Sequence, residues 1–534
     1  MQCCSQPFVG ATHLQMGNWQ VIAPEPSPCS ARARGPKARI SSALDATADI
    51  EVATLWTPIR ISGMLVDYSQ NTIQGLRMSA PSAISRFDRA FFVRLADWVA
   101  ASVAIALPWS TSAVGIAIAA WLVVLLPTLD AAAVKRELGT AAGGLPVVLW
   151  CLGLVGTLWA DVSWHDRFAG LDSFHRLLAI PLLFAQFRRT GNGIWVACGF
   201  FISSIALLTA SYAIVFAFGD RGHGVYGVPV HDTIFQGTVF LICAFGAFGY
   251  AALVGEKRPR SLFIALFAIG ALFLINFAFV TTSRIALVVA PLLLLLAGWR
   301  LFKWNGVLGA LLVAMTVGSV MWVASSVLRD RVAGSIVEMH KYQTNESASI
   351  GEHITFLKAS LSIIASAPII GHGTGSIAEE FQRITAGQTG VSATPTVNPH
   401  NQTFAVAVQL GLVGAVMLWV MWIAHLALFR GPNAFAWLGL VLVAENVLSS
   451  AVHSHLFDFN NGWLYVFGVG TLGGTILGER DSQSKKPNSD YDDGITRLAR
   501  GRAGSGLLIE CAPLVRQPPA LIRCACKRGD DGNV

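Results

Sequence analysis

Apolar residues run along this chain in long blocks separated by short polar breaks, and they do not alternate with polar ones. The blocks lie near 94–109, 112–129, 144–160, 174–187, 194–217, 233–253, 261–280, 285–300, 305–327, 403–428, 434–451 and 460–477. A helix rises 1.5 Å per residue, so crossing about 30 Å of hydrocarbon takes roughly 20 apolar residues, with about 17–25 usual. The pattern therefore predicts an all-α polytopic membrane protein with about twelve transmembrane helices. Pro108 and Pro127 fall near the ends of the first pair, where a break is tolerated.

The charges between the blocks give an orientation, because cytoplasmic loops carry the excess of Lys and Arg. Counted in order, the even gaps are basic: Lys135 with Arg136, Arg188 with Arg189, Lys257 with Arg258 and Arg260, Arg300 with Lys303, and Arg430. The odd gaps hold only Arg167, Arg221, Arg284 and the charges of a long segment, 328–402. Both termini are expected in the cytoplasm, and 328–402 is expected as a long outer loop containing short helices. Arg221, Arg284, His400, His453, His455 and Asp458 then share one compartment.

Composition agrees with lipid as the main solvent. Of 534 residues, 54% are hydrophobic and 13% charged, against roughly 25% charged in soluble domains. The net charge of +7 is scattered over short gaps and tails, which suits inner-leaflet lipids and gives no nucleic-acid groove. The nine cysteines lie in apolar segments or tails, so no disulfide framework is expected. Residues 1–90 are polar and lack a signal sequence. They read as a disordered tail, or as translated sequence upstream of a true start at Met78. Residues 481–534 read as a disordered cytoplasmic tail, leaving 91–480 as the membrane domain.

A few residues break this pattern in ways that suggest chemistry. Arg284, in Thr282-Ser283-Arg284, interrupts some forty nearly uncharged residues. A charge deep in a bilayer costs at least about 2.5–3.5 kcal/mol, so the chain turns there. The arginine either anchors the interface or pairs with an anion, and guanidinium forks onto phosphate bidentately. Arg221 sits in a glycine-rich loop, 219–227, where backbone can approach a ligand closely; the alternative is an ordinary exposed arginine. His400, in Asn398-Pro399-His400-Asn401, has the pKa range to take a proton from a sugar hydroxyl, or it simply caps the helix that follows. His372 lies in Gly371-His372-Gly373-Thr374-Gly375, a weak phosphate-cradle likeness, and Arg176 is a further candidate anion contact. His223, His231, His453 and His455 match no metal-ligand spacing, and no metal or other cofactor is expected.

Some of these residues form a recognisable signature. His400-Asn401, nine residues, then Gly411-Leu412-Val413-Gly414 resembles the His-Asn-x9-Gly-x-x-Gly segment of bacterial O-antigen ligases and O-antigen polymerase-like membrane glycosyltransferases. Pro368-Ile369-Ile370-Gly371-His372-Gly373 resembles their proline–glycine loop, and Thr282-Ser283-Arg284 their outer arginine hairpin. The resemblance covers roughly 90–480. It implies a GT-C-like fold in the bacterial inner membrane with a periplasmic active site. It also implies a metal-independent, inverting transfer of a polysaccharide from undecaprenyl diphosphate to a lipid A-core sugar. His400 would activate the acceptor hydroxyl, and Arg284 and Arg221 would hold the donor diphosphate. Asn401, Arg176 and His372 would contribute substrate contacts. Where relatives often carry an arginine ahead of the amphipathic helix, this chain has Glu352-His353.

Three rivals stand beside the ligase. Two come from the same group: a repeat-unit or exopolysaccharide polymerase, and an O-linked oligosaccharyltransferase acting on proteins. The third, a secondary transporter, predicts paired charges or broken helices at mid-membrane, whereas the span interiors here hold only Asp97, His425 and Glu445.

Overall fold

A computed structural model describes residues 89–218, 227–230, 232–254, 259–280, 283–343 and 349–484. Most of both expected tails, Arg221 with His223, His231, and Thr281 with Thr282 lie outside the described residues. The described chain is all helical, with no strand among these residues. In order the helices are α1 (Arg89–Ala106), α2 (Thr111–Leu125), α3 (Ala131–Leu138), α4 (Ala141–Gly156), α5 (Trp164–His175), α6 (Ala179–Thr190), α7 (Gly193–Phe218) and α8 (Thr233–Val254). There follow α9 (Arg260–Phe279), α10 (Arg284–Ala324), α11 (Ser326–Gln343), α12 (Ser349–Ser366), α13 (Ile377–Thr385), α14 (Gln402–Leu428), α15 (Ala434–Ser449) and α16 (Phe459–Ser484).

The twelve apolar blocks fall mainly on helix, yet the span count is lower. Seven helical stretches are long and apolar enough to cross a membrane, or up to eight if α3 and α4, bent by 86°, make one broken span. The shortfall has physical causes. α1 carries Arg89, Arg94 and Asp97 within 18 residues, and α15 is only 16 residues long. α10 counts once although it folds back on itself: Lys303 breaks it at φ 56°, and a Cβ on Gly298 would lie 2.3 Å from the Gly306 carbonyl oxygen. Two blocks therefore form a helical hairpin.

Among the described residues, the basic gaps around Lys135, Arg188, Arg300 and Arg430 meet through shared contacts at one end of the bundle. Arg188 bridges Glu137 at 3.1 Å and Asp481 at 2.8 Å, and Arg480 donates to the Leu428 carbonyl at 2.8 Å. In the helix interiors the ionisable groups are tied into helix contacts. Asp97 accepts from Gln186 and Asn192, His425 bonds Tyr465 and the Ala142 carbonyl, and Glu445 accepts from Thr238 and Ser449.

One break in the bundle positions the site. α14 is interrupted at Gly411 (φ 62°, ψ −158°). Breaking a helix in a bilayer frees backbone groups that cost several kcal/mol each if left unpaired. Here the 368–373 segment supplies their partners. Leu412 N donates to Pro368 O at 2.8 Å and Val413 N to Ile369 O at 3.2 Å, while His372 N and Gly373 N donate to Val408 O and Gln409 O at 2.9 and 2.8 Å. A Cβ on Gly411 would lie 2.2 Å from Ile369 O, so only glycine allows this approach. Thr374 then stitches the loop to α4, donating to Gly156 O and Gly153 O. The proline–glycine loop and the glycines after His400 are two halves of one joint.

Candidate functional site

Four separated segments meet at the end of the bundle away from the basic gaps. Ser283 caps α10, accepting from Ala286 N, and so sets Arg284 in the first helical position. The guanidinium forks onto Glu338 of α11, with Nη1 to Oε2 at 2.9 Å and Nη2 to Oε1 at 2.5 Å. Its Nε is buried and has no hydrogen-bond partner among the described residues. Glu338 also accepts from Ile350 N at 3.2 Å. A carboxylate there suits the positive end of the α12 dipole and ties the arginine to that helix.

One turn further along α12, His353 and Phe356 meet His400. The His353 and His400 ring centroids are 4.5 Å apart, and Phe356 stacks on His400 at 5.8 Å with a 15° interplanar angle. Phe356 is itself held by a small apolar cluster with Ile363, Phe381 and Val408. His453 approaches His400 at 5.3 Å, and His455 follows His453 at 5.3 Å. A row of imidazoles results, and His353 feels the charges of Arg284 and Glu338 at its near end.

His400 has a left-handed backbone, φ 53°. A non-glycine residue there is uncommon and costs on the order of 1–3 kcal/mol unless its surroundings fix it. They do. His400 N donates to Asn398 Oδ1 at 2.9 Å, and the same oxygen accepts from Ser454 Oγ at 2.7 Å. Gln402 N donates to Ser450 O, and Phe457 N donates to Gln402 Oε1. Asn401 caps α14 through Phe404 N at 3.0 Å and donates to Ala451 O at 2.9 Å, so both ends of its amide are engaged.

Burial drives the His400 pKa down to about 3, with His353 and then His453 adding to the effect. Its Nδ1 is buried and without a hydrogen-bond partner among the described residues. Burial also lowers His353 and His453, the latter opposed by Asp458 and Asp232. The row is therefore neutral at pH 7. No group of three or more His, Cys, Asp or Glu among the described residues is arranged to hold a metal ion.

Residues 269–419 match the family model for O-antigen ligase. That stretch is O-antigen ligase-like. No curated protein matches the chain. The ligase-like stretch contains Arg284, Glu338, His353, His400 and the Gly411 break, while His453 lies beyond it.

Two other residues singled out in the sequence are occupied by protein. Arg176 is buried, and its guanidinium donates to the Asp458 carbonyl and, at 3.4 Å, to those of Phe459 and Phe457. It clamps the turn leading into α16. His372 places Nε2 3.1 Å from Ile363 O and Nδ1 3.5 Å from Glu380, within the joint described above. Neither touches the imidazole row. Glu338 and the packing of His353 and His453 on His400 carry no sequence motif; the imidazoles were visible only as histidines on the outer side.

Proposed function

We propose that this chain is a membrane glycosyltransferase that moves a polysaccharide from undecaprenyl diphosphate to a lipid A-core sugar at the periplasmic face of the inner membrane. The single observation that carries this reading is the assembly of Arg284, His353 and His400 at one end of the bundle, within the ligase-like stretch. Glu338 acts as a stand-in there. Its two oxygens occupy the guanidinium fork that a diphosphate would take, since carboxylate and phosphate present the same bidentate acceptor geometry.

In the reaction the acceptor hydroxyl oxygen bonds the anomeric carbon from the face opposite the diphosphate, inverting it. The carbon–oxygen bond to the diphosphate breaks, and its electron pair leaves on phosphate. His400 takes the hydroxyl proton, and Arg284 stabilises the leaving charge without a metal. Arg221 is proposed as the second cation. A base with a pKa of about 3 is weak, since general bases work best near the operating pH. The incoming diphosphate corrects this, because negative charge beside the row raises the imidazole pKa.

Complementation of a ligase-deficient strain tests the proposal. Wild type restores ladder-like lipopolysaccharide, and His400→Ala and Arg284→Ala at equal expression do not. Capped core with altered chain length would instead mark a polymerase, and shifted pilin mobility with unchanged lipopolysaccharide a protein-modifying enzyme.

A further inference from the structure

A cavity of about 550 Å³ opens beside the imidazole row, between α5, α13, the start of α14 and the 453–458 segment. Its size falls within the roughly 300–1,000 Å³ usual for ligand sites. Asp166, Ser173, Glu379, Gln382, His453 and Asp458 give its wall a chemistry of carboxylates, amide, hydroxyl and imidazole, and no Lys or Arg among the described residues lines it. α5 packs directly on the glycine turn at this wall: a Cβ on Gly170 would lie 2.5 Å from the backbone of Gly375.

The arginines nearest this wall are turned to protein oxygens. Arg383 bonds Asp161, Glu379 and Glu380 at 2.8, 3.2 and 2.9 Å, and Arg167 donates to Val162 O and Thr157 O at 3.0 and 2.9 Å. Arg176 holds the carbonyls of 457–459. No described arginine therefore presents a free guanidinium to the cavity, whereas Arg284 holds a carboxylate at the other end of the row. Both reach the same base: Asn398 and Pro399, just before His400, line the cavity, and so does His453, whose buried Nδ1 has no partner among the described residues.

We propose that this cavity is the acceptor-sugar subsite and that it selects an uncharged or amino sugar over a phosphorylated or uronic-acid sugar. The proposal rests on the transferase reading above for the word acceptor. Carboxylates and amides pair readily with hydroxyl and ammonium donors, while phosphate or carboxylate on the sugar would meet Asp166 and Asp458, and a Glu379 whose partner Arg383 is already bonded to three carboxylates.

The test uses the full chain in lipid nanodiscs carrying Ala378→Cys, a cavity position on α13. Maleimide modification of that cysteine is followed by peptide mass spectrometry, with methyl glucoside, glucosamine, glucuronate and glucose 6-phosphate as competing probes. Methyl glucoside and glucosamine slow labelling severalfold, and the two anionic sugars do not. Asp166→Lys with Glu379→Lys reverses the order, and the wild-type order decides the matter even where that pair fails to fold. Equal protection by all four probes, protection by the anionic pair alone, or none by any overturns the proposal. Adding His400→Ala separates the two readings. Protection kept with transfer lost supports both, and transfer intact in wild type without protection sinks the subsite alone.

Discussion

Replacing Glu338 with glutamine removes the charge facing Arg284 but keeps an oxygen that can accept from Ile350 N. If the carboxylate stands in for the donor diphosphate, the two anions compete for one guanidinium, and weakening the internal one must strengthen donor binding. The size follows from exposure. The Arg284 and Glu338 side chains are 34% and 23% exposed, so the pair is partly screened and contributes about 1 kcal/mol, the upper end for exposed ion pairs. Since every 1.4 kcal/mol is tenfold in affinity, Glu338→Gln is expected to lower the donor KM about fivefold. The assay is transfer from a lipid-diphosphate donor in nanodiscs, with donor and acceptor titrated separately. The acceptor KM stays put, and in an Arg284→Ala background, followed by equilibrium binding of the donor because transfer is lost, the same change leaves donor affinity unaltered, because the competition no longer exists. A Glu338→Gln variant with unchanged or raised donor KM and depressed kcat would refute the reasoning, showing that the carboxylate is required for turnover.

Three further outcomes follow from the same geometry. Gly411→Ala places a side chain at a backbone conformation costing about 1–3 kcal/mol, with its Cβ 2.2 Å from Ile369 O; a lowered Tm with loss of transfer is expected, and wild-type values for both would disprove the joint. Arg176→Ala leaves buried carbonyls without a donor, a loss of about 1–3 kcal/mol, so Tm falls while donor KM is unchanged; a large rise in KM at unchanged Tm would instead make Arg176 an anion contact. For pH, the folded histidines sit below their ordinary value, so the unfolded chain binds more protons as pH drops below about 6.5 and stability falls with it. In the proposed mechanism neutral His400 is the active form. The acid limb of kcat/KM, set by the free enzyme, therefore lies lower than that of kcat at saturating donor, and coincident limbs would argue against tuning of the base by the diphosphate.

Much of the fold was legible because lipid imposes one rule on every residue it touches: long apolar runs become helices. The rule is weaker for counting. Arg89, Arg94 and Asp97 put α1 outside a simple apolar window, yet Asp97 is paired inside the bundle. The turn at Lys303, by contrast, falls where the sequence separates 285–300 from 305–327. Arg284 stood out as a candidate because a charge between two spans is costly, and His400 because it precedes a span within the His-Asn-x9-Gly-x-x-Gly segment. Arg176 looked similar, but a buried guanidinium serves backbone carbonyls as readily as an anion, and sequence cannot tell these apart. Glu338 was not legible at all. Its meeting with Arg284 is a long-range contact between α11 and the start of α10, and no local pattern encodes it.

The broken helix accounts for the shape of the whole site. A continuous α14 would satisfy its own backbone and have no reason to accept the 368–373 segment. The break at Gly411 leaves donors and acceptors that only another backbone can meet, so the chain after α12 is drawn down onto α14 and held by four hydrogen bonds. That anchorage fixes both ends of the intervening machinery. On one side it sets α12, and hence His353 and Phe356, against His400. On the other it turns the chain through Gly375 into α13, whose Glu379 and Gln382 face the cavity. A single helix defect thus positions an imidazole between an arginine that forks onto a carboxylate and a pocket lined by carboxylates and amides. This arrangement suits a reaction whose donor carries a diphosphate and whose acceptor offers a hydroxyl.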